Sequence, residues 1–112
     1  MKDRVYLIGL AKEMIAYRLP MIVGTGAIRR EDNIEYATQA KLYNAAAILV
    51  ATPPYAYPTR HEIALHAMAI DRVANLPVML YNYSRRMSMN MDEDTLDNLG
   101  DPPNFCAIKE SS

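Results

Sequence analysis

A lysine stands at the end of the last apolar run of the chain. Residues 105–108 read Phe-Cys-Ala-Ile and lead directly into Lys109, after which polar residues follow. A short apolar run of this kind predicts a buried strand, with Lys109 at the point where the strand leaves the sheet. Desolvation there disfavours the ammonium form and leaves a neutral amine that can attack a carbonyl carbon. The alternative is a lysine whose stem follows the strand while its ammonium reaches water.

Two further candidates also follow apolar runs. Tyr81 comes directly after the Val-Met-Leu run at 78–80, and a phenol at a strand end can relay protons. The alternative is a tyrosine whose ring lies in the core and whose hydroxyl reaches water. Gly24-Thr25-Gly26 follows the Met-Ile-Val run at 21–23, where the backbone could approach a phosphate. A tight turn is the simpler use of these glycines.

The metal-ligating residue types are sparse and poorly placed. His61 and His66 are five positions apart on a predicted helix and do not share a face, so they do not predict a metal site. Cys106 has no histidine near it in sequence and is typical of a core residue. We therefore expect neither a metal nor another cofactor.

Composition limits the class of partner. The 112 residues are 51% hydrophobic and 22% charged, with a net charge of −1, which is typical of a globular chain. Arg29-Arg30 and Arg85-Arg86 are isolated basic pairs, so nucleic acid is not an expected partner. No apolar run reaches the length of a membrane span, and we expect no membrane partner. Cys106 is the only cysteine, and a reducing cytoplasm is the compartment that this favours.

Helical and strand patterns alternate along the chain. The predicted strands lie near residues 21–24, 46–50, 78–81 and 104–108, and the predicted helices near 2–17, 31–44, 59–75 and 92–100. The third helix begins at Thr59, because Thr59 and Glu62 form a capping-box pattern. Evenly spaced strand–helix modules predict a parallel sheet with right-handed crossovers. An open doubly wound sheet and part of a (β/α)8 barrel both fit, and a complete barrel needs about 250 residues.

Several of these motifs occur together in one known family. Tyr81-Asn82, Arg86 and the run Ala107-Ile108-Lys109-Glu110-Ser111 resemble the dihydrodipicolinate synthase/N-acetylneuraminate lyase family. Its signature is Tyr-Asn-x-Pro-x-Arg, followed one strand later by an apolar strand ending in Lys. Gly24-Thr25-Gly26 and Thr52-Pro53-Pro54-Tyr55 resemble two further motifs in the same order. The resemblance implies an incomplete TIM (β/α)8 barrel, in which residues 1–112 are one partial domain with four parallel strands (family strands three to six) and helices on one face.

The resemblance also implies a chemistry and a set of roles. Lys109 would form an imine with pyruvate or another 2-keto acid, and Tyr81 would shuttle protons to it. Tyr55 matches a catalytic tyrosine that family members lend to a neighbouring subunit, which implies a homo-oligomer. Arg86 matches an arginine that binds the carboxylate of a second substrate. An aldehyde is the expected second substrate, and it would be a further partner. Thr25 is a further candidate substrate-binding residue.

The chain also departs from the family pattern. Ser84 stands where the family has proline, and Pro54 replaces a tyrosine common in the synthase branch. No segment matches the early Gly-Thr-Thr-Gly-Glu strand that binds the keto acid's carboxylate, nor the last two strands. The competing hypothesis is therefore a non-catalytic half-barrel fragment, or a module that works only by assembling with complementary chains.

Overall fold

The computed structural model of the protein describes residues 2–16, 18–51, 59–83, 91, 93–99 and 103–111. Helices and strands alternate throughout this part of the chain. The helices are α1 (Lys2–Ile15), α2 (Arg30–Leu42), α3 (Arg60–Ala74) and α4 (Glu93–Leu99). The strands are β1 (Ile22–Gly24), β2 (Ala47–Ala51), β3 (Val78–Asn82) and β4 (Phe105–Glu110). Tyr17, Asp92 and Gly100, at predicted helix ends, lie outside the described residues.

The four strands form one parallel sheet in the order β1-β2-β3-β4. Val23 lies opposite Ile48, which in turn lies opposite Val78, and Tyr81 lies opposite Lys109. A doubly wound sheet would place a later strand outside the first. Sequential order instead matches one half of an eight-stranded barrel, as the sequence predicted.

The pairing of β3 with β4 contains one irregularity. Val78 lies opposite Phe105, whereas the next residue, Met79, lies opposite Ala107, so Cys106 is the extra residue of a bulge. The Cys106 thiol lies 3.6 Å from the carbonyl oxygen of Val78. Nothing in the sequence pattern predicted this bulge, and it shifts every β4 residue beyond it by one position relative to β3.

Local signals explain where α3 begins and where α2 and α3 end. The Thr59 hydroxyl oxygen accepts a hydrogen bond of 3.1 Å from the Glu62 backbone N–H, which confirms the predicted cap of α3. Asn75 follows α3 in the left-handed region, with φ of 46°. Asn44, which lies one residue beyond the C-cap Tyr43 of α2, is also left-handed, with φ of 52°. Asparagine tolerates this conformation better than most residues, and both helices therefore stop there.

The core lies between one face of the sheet and the helices. Along β2 and β3 the buried positions alternate, and they are occupied by Ile48, Val50, Val78 and Leu80. These side chains form one cluster with apolar residues of α2 and α3, including Ala37, Ala40, Ile63, Ala67 and Ile70. Each buried Val, Leu or Ile contributes about 1.5 to 3 kcal/mol to folding.

The opposite face of the sheet is more open. Leu49, Met79 and Tyr81 alternate with the core residues and are only partly buried, and Lys109 is exposed. The helices thus cover one face and leave the other as the concave inner face of a partial barrel. Within the described ranges, no helix combines the length and the apolar character needed to cross a membrane.

Candidate active site

Lys109 and Tyr81 meet at the carboxyl ends of β4 and β3. The two residues are directly opposite each other in the parallel pairing. The Nζ atom of Lys109 lies 4.4 Å from the centroid of the Tyr81 ring, above its face. Ring faces carry negative potential and attract an ammonium, so this contact holds the lysine head beside the phenol. The predicted convergence of the two side chains is confirmed, while their catalytic roles stay predictions.

A second tyrosine extends this arrangement. Tyr83 is two residues beyond Tyr81, and their rings are stacked with centroids 5.9 Å apart and planes inclined by 14°. Both rings are partly buried. The sequence pattern did not indicate Tyr83, because residues i and i+2 meet on one face only if the strand direction continues past Asn82. The stack limits the orientations open to the Tyr81 ring.

Thr25 lies at the carboxyl end of β1 and is fully buried, with 0% of its surface exposed. Its backbone N–H and its hydroxyl both donate to the carbonyl oxygen of Leu49, each at 3.0 Å. Thr25 therefore joins the loop after β1 to the backbone of β2. A substrate would have to contact the lone pairs of its oxygen or rotate the hydroxyl, and the substrate-binding role stays a prediction.

Arg4 of α1 contacts the end of β1 and the loop that follows it. Its guanidinium donates to the carbonyl oxygens of Gly24 and Gly26, the latter at 2.6 Å. The guanidinium carbon also lies 4.1 Å from the centroid of the Tyr36 ring. The sequence pattern did not indicate Arg4, since an arginine in the first turn of an amphipathic helix has the pattern of an ordinary solvated charge. No local pattern marks its contacts, because they span about 20 residues of sequence.

The remaining predicted site residues, Tyr55 and Arg86, lie outside the described residues. In the part of the chain that is described, no three His, Cys, Asp or Glu side chains gather as metal ligands would. The candidate site therefore consists of Lys109 and Tyr81 on the open face of the sheet, with Tyr83 stacked on Tyr81 and Thr25 buried at the end of β1.

The family of this chain is identified by a match to a family sequence profile. The profile of the dihydrodipicolinate synthetase family matches residues 1–112, the whole chain. The chain belongs to this family. Among its relatives is the 4-hydroxy-tetrahydrodipicolinate synthase of Clostridium perfringens, which is 34% identical over 112 residues. That match covers 100% of this chain but 38% of the relative, so the chain spans well under half of the relative's length.

Solved structures in this family have the same fold. The chloride-inhibited dihydrodipicolinate synthase from Acinetobacter baumannii, in complex with pyruvate, aligns with a TM-score of 0.87 and 33% identity. That alignment covers 96% of this chain and 37% of that protein. A catalytic-lysine mutant of the Ruminococcus gnavus sialic acid aldolase aligns with a TM-score of 0.94 at 21% identity, over 99% of this chain and 37% of that one. At 21% identity this likeness concerns the fold alone.

Proposed function

We propose that this chain carries the nucleophile-bearing part of a Schiff-base lyase or synthase that acts on pyruvate or a related 2-keto acid. The observation that carries the proposal is the position of the Lys109 amine, 4.4 Å from the centroid of the Tyr81 ring, at the carboxyl ends of two parallel strands. Barrel enzymes place their chemistry at this end. Family membership and the pyruvate complex of the Acinetobacter baumannii relative support the same substrate class.

The first chemical step belongs to Lys109. Its neutral amine attacks the carbonyl carbon of the 2-keto acid, and a carbinolamine forms. Loss of the carbinolamine hydroxyl as water leaves a C=N bond between Lys109 and the substrate. Loss of a proton from the neighbouring carbon then gives an enamine, which can attack an aldehyde. Read in reverse, the same steps cleave a carbon–carbon bond.

The neighbouring residues supply protons and binding contacts in this proposal. The Tyr81 phenol gives a proton to the departing hydroxyl and later accepts one, as general acid and base. Tyr55 completes this relay from a neighbouring copy, which requires a homo-oligomer. Arg86 binds the carboxylate of the aldehyde substrate, and Thr25 contributes to the 2-keto acid site. We place the protein in the cytoplasm, since a single cysteine fits a reducing compartment.

A second candidate function has its own support. Lys109 is exposed rather than enclosed, and the chain spans 38% of the Clostridium perfringens relative. Water reaches an exposed amine and can hydrolyse an imine that forms on it, so the open site is less suited to holding such an intermediate. The chain would then be a non-catalytic partial barrel, or a module that gains activity only when complementary strands enclose the site.

Borohydride trapping separates these two functions. Borohydride reduces the C=N bond of an imine to a stable secondary amine, so pyruvate becomes fixed to the lysine that formed the imine. We expect one reduced pyruvate per chain, located on Lys109 by peptide mass spectrometry. The Lys109→Arg variant should lose the adduct, because a guanidinium does not form an imine.

Lys41 provides the matched control. It is an exposed lysine in the last turn of α2, outside the candidate site. The Lys41→Arg variant should trap pyruvate as well as the unaltered chain does. No adduct, or an adduct spread equally over the four lysines of the sequence, would favour the non-catalytic module.

A further inference from the structure

A pair of polar side chains lies one residue beyond Tyr81 and Lys109. Asn82 and Glu110 are opposite each other in the pairing of β3 with β4. The Asn82 side-chain nitrogen donates to both carboxylate oxygens of Glu110, at 3.2 and 2.9 Å. Side chains alternate along a strand, so this pair is on the face opposite to Tyr81 and Lys109.

Asn82 makes contacts in two further directions. Its side-chain oxygen accepts a hydrogen bond of 2.9 Å from the backbone N–H of Met91. Its backbone carbonyl accepts another, also of 2.9 Å, from the N–H of Ser111. Asn82 therefore joins the end of β3 to the end of β4 and to Met91, which follows the segment that contains Arg86.

The position of Asn82 is unusual for a polar residue. It continues the buried series Val78 and Leu80 along β3, and only 2% of its surface is exposed. A leucine would continue that series without the cost of burying an amide. Packing alone therefore does not explain the asparagine. Its hydrogen bonds do, because the side-chain nitrogen donates to Glu110 of β4 and the side-chain oxygen accepts from Met91.

The pair of Asn82 and Glu110 lies just beyond the bulge in β4, where the register of β4 against β3 has changed. Because Cys106 is an extra residue, the pairing of β3 with β4 changes register before Tyr81 and Lys109 are reached. A further slip of one residue would carry Lys109 to the other face of the sheet. The hydrogen bonds between Asn82 and Glu110 fix the register beyond the bulge, directly beside the two proposed catalytic side chains.

We infer that Asn82 is a positioning residue, which holds the Lys109 amine over the Tyr81 ring through the carboxylate of Glu110. The inference rests on the proposed function for its importance to catalysis, although the positioning itself can be measured without substrate. Reductive methylation with 13C-formaldehyde labels each lysine amine with methyl groups. Methyl groups over the face of an aromatic ring resonate upfield. The methyl resonance of Lys109 should therefore lie upfield of that of the exposed Lys41 in an NMR spectrum.

The first variants remove the contact at its exposed end, where folding is least affected. Glu110→Ala should move the Lys109 resonance towards that of Lys41. Glu110→Gln keeps a side-chain oxygen that can accept from Asn82, and it should leave the resonance close to its original place. An unmoved resonance in Glu110→Ala, or an equal shift in both variants, would overturn the inference.

An exchange of the two groups provides the rescue. Asn82→Asp has nearly the same shape but places one carboxylate against another, so the Lys109 resonance should move as in Glu110→Ala. In the double variant Asn82→Asp/Glu110→Gln the donor and the acceptor change places, and the resonance should return. A double variant that folds without restoring the resonance would contradict the proposed pairing, and Glu110→Ala decides the matter should Asn82→Asp unfold.

Trapping of pyruvate on unlabelled protein then tests the link to chemistry. We expect Asn82→Asp and Glu110→Ala to lower the trapping rate by about 10- to 100-fold, as small misplacements of reacting groups do, and the double variant to recover it. An unaltered chain with a displaced Lys109 resonance but no adduct would refute the proposed function and leave the positioning supported. Normal trapping in Glu110→Ala would show that Asn82 does not position the amine for reaction.

Discussion

The Lys109 amine faces the ring of Tyr81, with 4.4 Å between Nζ and the ring centroid. The contribution of the Tyr81 ring and that of its hydroxyl can therefore be measured separately with two variants. Tyr81→Phe keeps the ring face that attracts the ammonium and removes the group that would carry protons. Tyr81→Leu removes both.

We expect Tyr81→Phe to lower the rate of pyruvate trapping on Lys109 by about 100-fold or more, the usual scale of general acid–base catalysis. The upfield NMR position of methylated Lys109 should be kept in Tyr81→Phe and lost in Tyr81→Leu. A Tyr81→Phe variant that traps pyruvate at the original rate would show that the hydroxyl is not the proton carrier.

The contacts of Arg4 predict a stability effect at the loop after β1. Arg4→Met keeps an unbranched stem against Tyr36 but removes the donors to the Gly24 and Gly26 carbonyls. We expect the free energy of unfolding, measured by urea titration, to fall by about 1 to 3 kcal/mol, as for other hydrogen bonds made by charged groups. Arg72→Met, which alters an exposed arginine in the last turn of α3, should change it by less than about 0.5 kcal/mol.

His66 predicts a loss of stability in acid. The side chain is 3% exposed, and within the described structure neither ring nitrogen has a hydrogen-bond partner. Burial, aided by the positive charge of Arg30, lowers the pKa of His66 from 6.5 to about 4. The unfolded chain therefore binds more protons than the folded chain between these two values, and stability falls as the pH drops through this window.

The size of this effect can be measured against a matched histidine. Below about pH 4 the loss should approach roughly 3 kcal/mol, the equivalent of the full shift in pKa. His66→Phe should remove this part of the pH dependence of urea unfolding. His61→Gln, at an exposed position of α3, should leave it in place. An unchanged pH dependence in His66→Phe would show that the buried imidazole is not its source.

The edges of the described sheet predict self-association of the 112-residue chain. β1 and β4 each pair with one neighbour in that sheet, and residues 106–110 of β4 are exposed. Open parallel edges and an uncovered apolar face favour association. Sedimentation velocity should show dimers, larger species or a loosely packed chain. A monodisperse monomer that melts sharply and cooperatively would contradict this expectation.

Much of the fold could be predicted from the sequence because its signals are local. The wholly apolar run at 46–50 indicated a strand of a parallel sheet, and Thr59 with Glu62 marked the start of α3. Because Tyr81 and Lys109 were predicted at the same ends of two neighbouring parallel strands, their convergence could also be predicted. Boundaries moved by one or two residues, as at β1, which begins at Ile22 rather than near 21.

The rest depended on tertiary contacts that leave no local pattern. The bulge at Cys106 arises from how β4 fits against β3, and no turn residue marks it. Arg4 reaches carbonyl oxygens about 20 residues away, and Asn82 reaches a carboxylate 28 residues away. Thr25 was predicted at the correct strand end, but its burial under the Leu49 carbonyl could only be seen in three dimensions.

The attachment of Arg4 also connects two parts of the molecule energetically. Arg4 belongs to α1, whereas the carbonyl groups that it holds belong to the last residue of β1, Gly24, and to Gly26 in the loop after it. Partial undocking of α1 would release that loop, so their local opening is cooperative and their backbone amides should exchange with solvent together. The coupling is reciprocal: a ligand that orders the loop around Thr25 also strengthens the docking of α1.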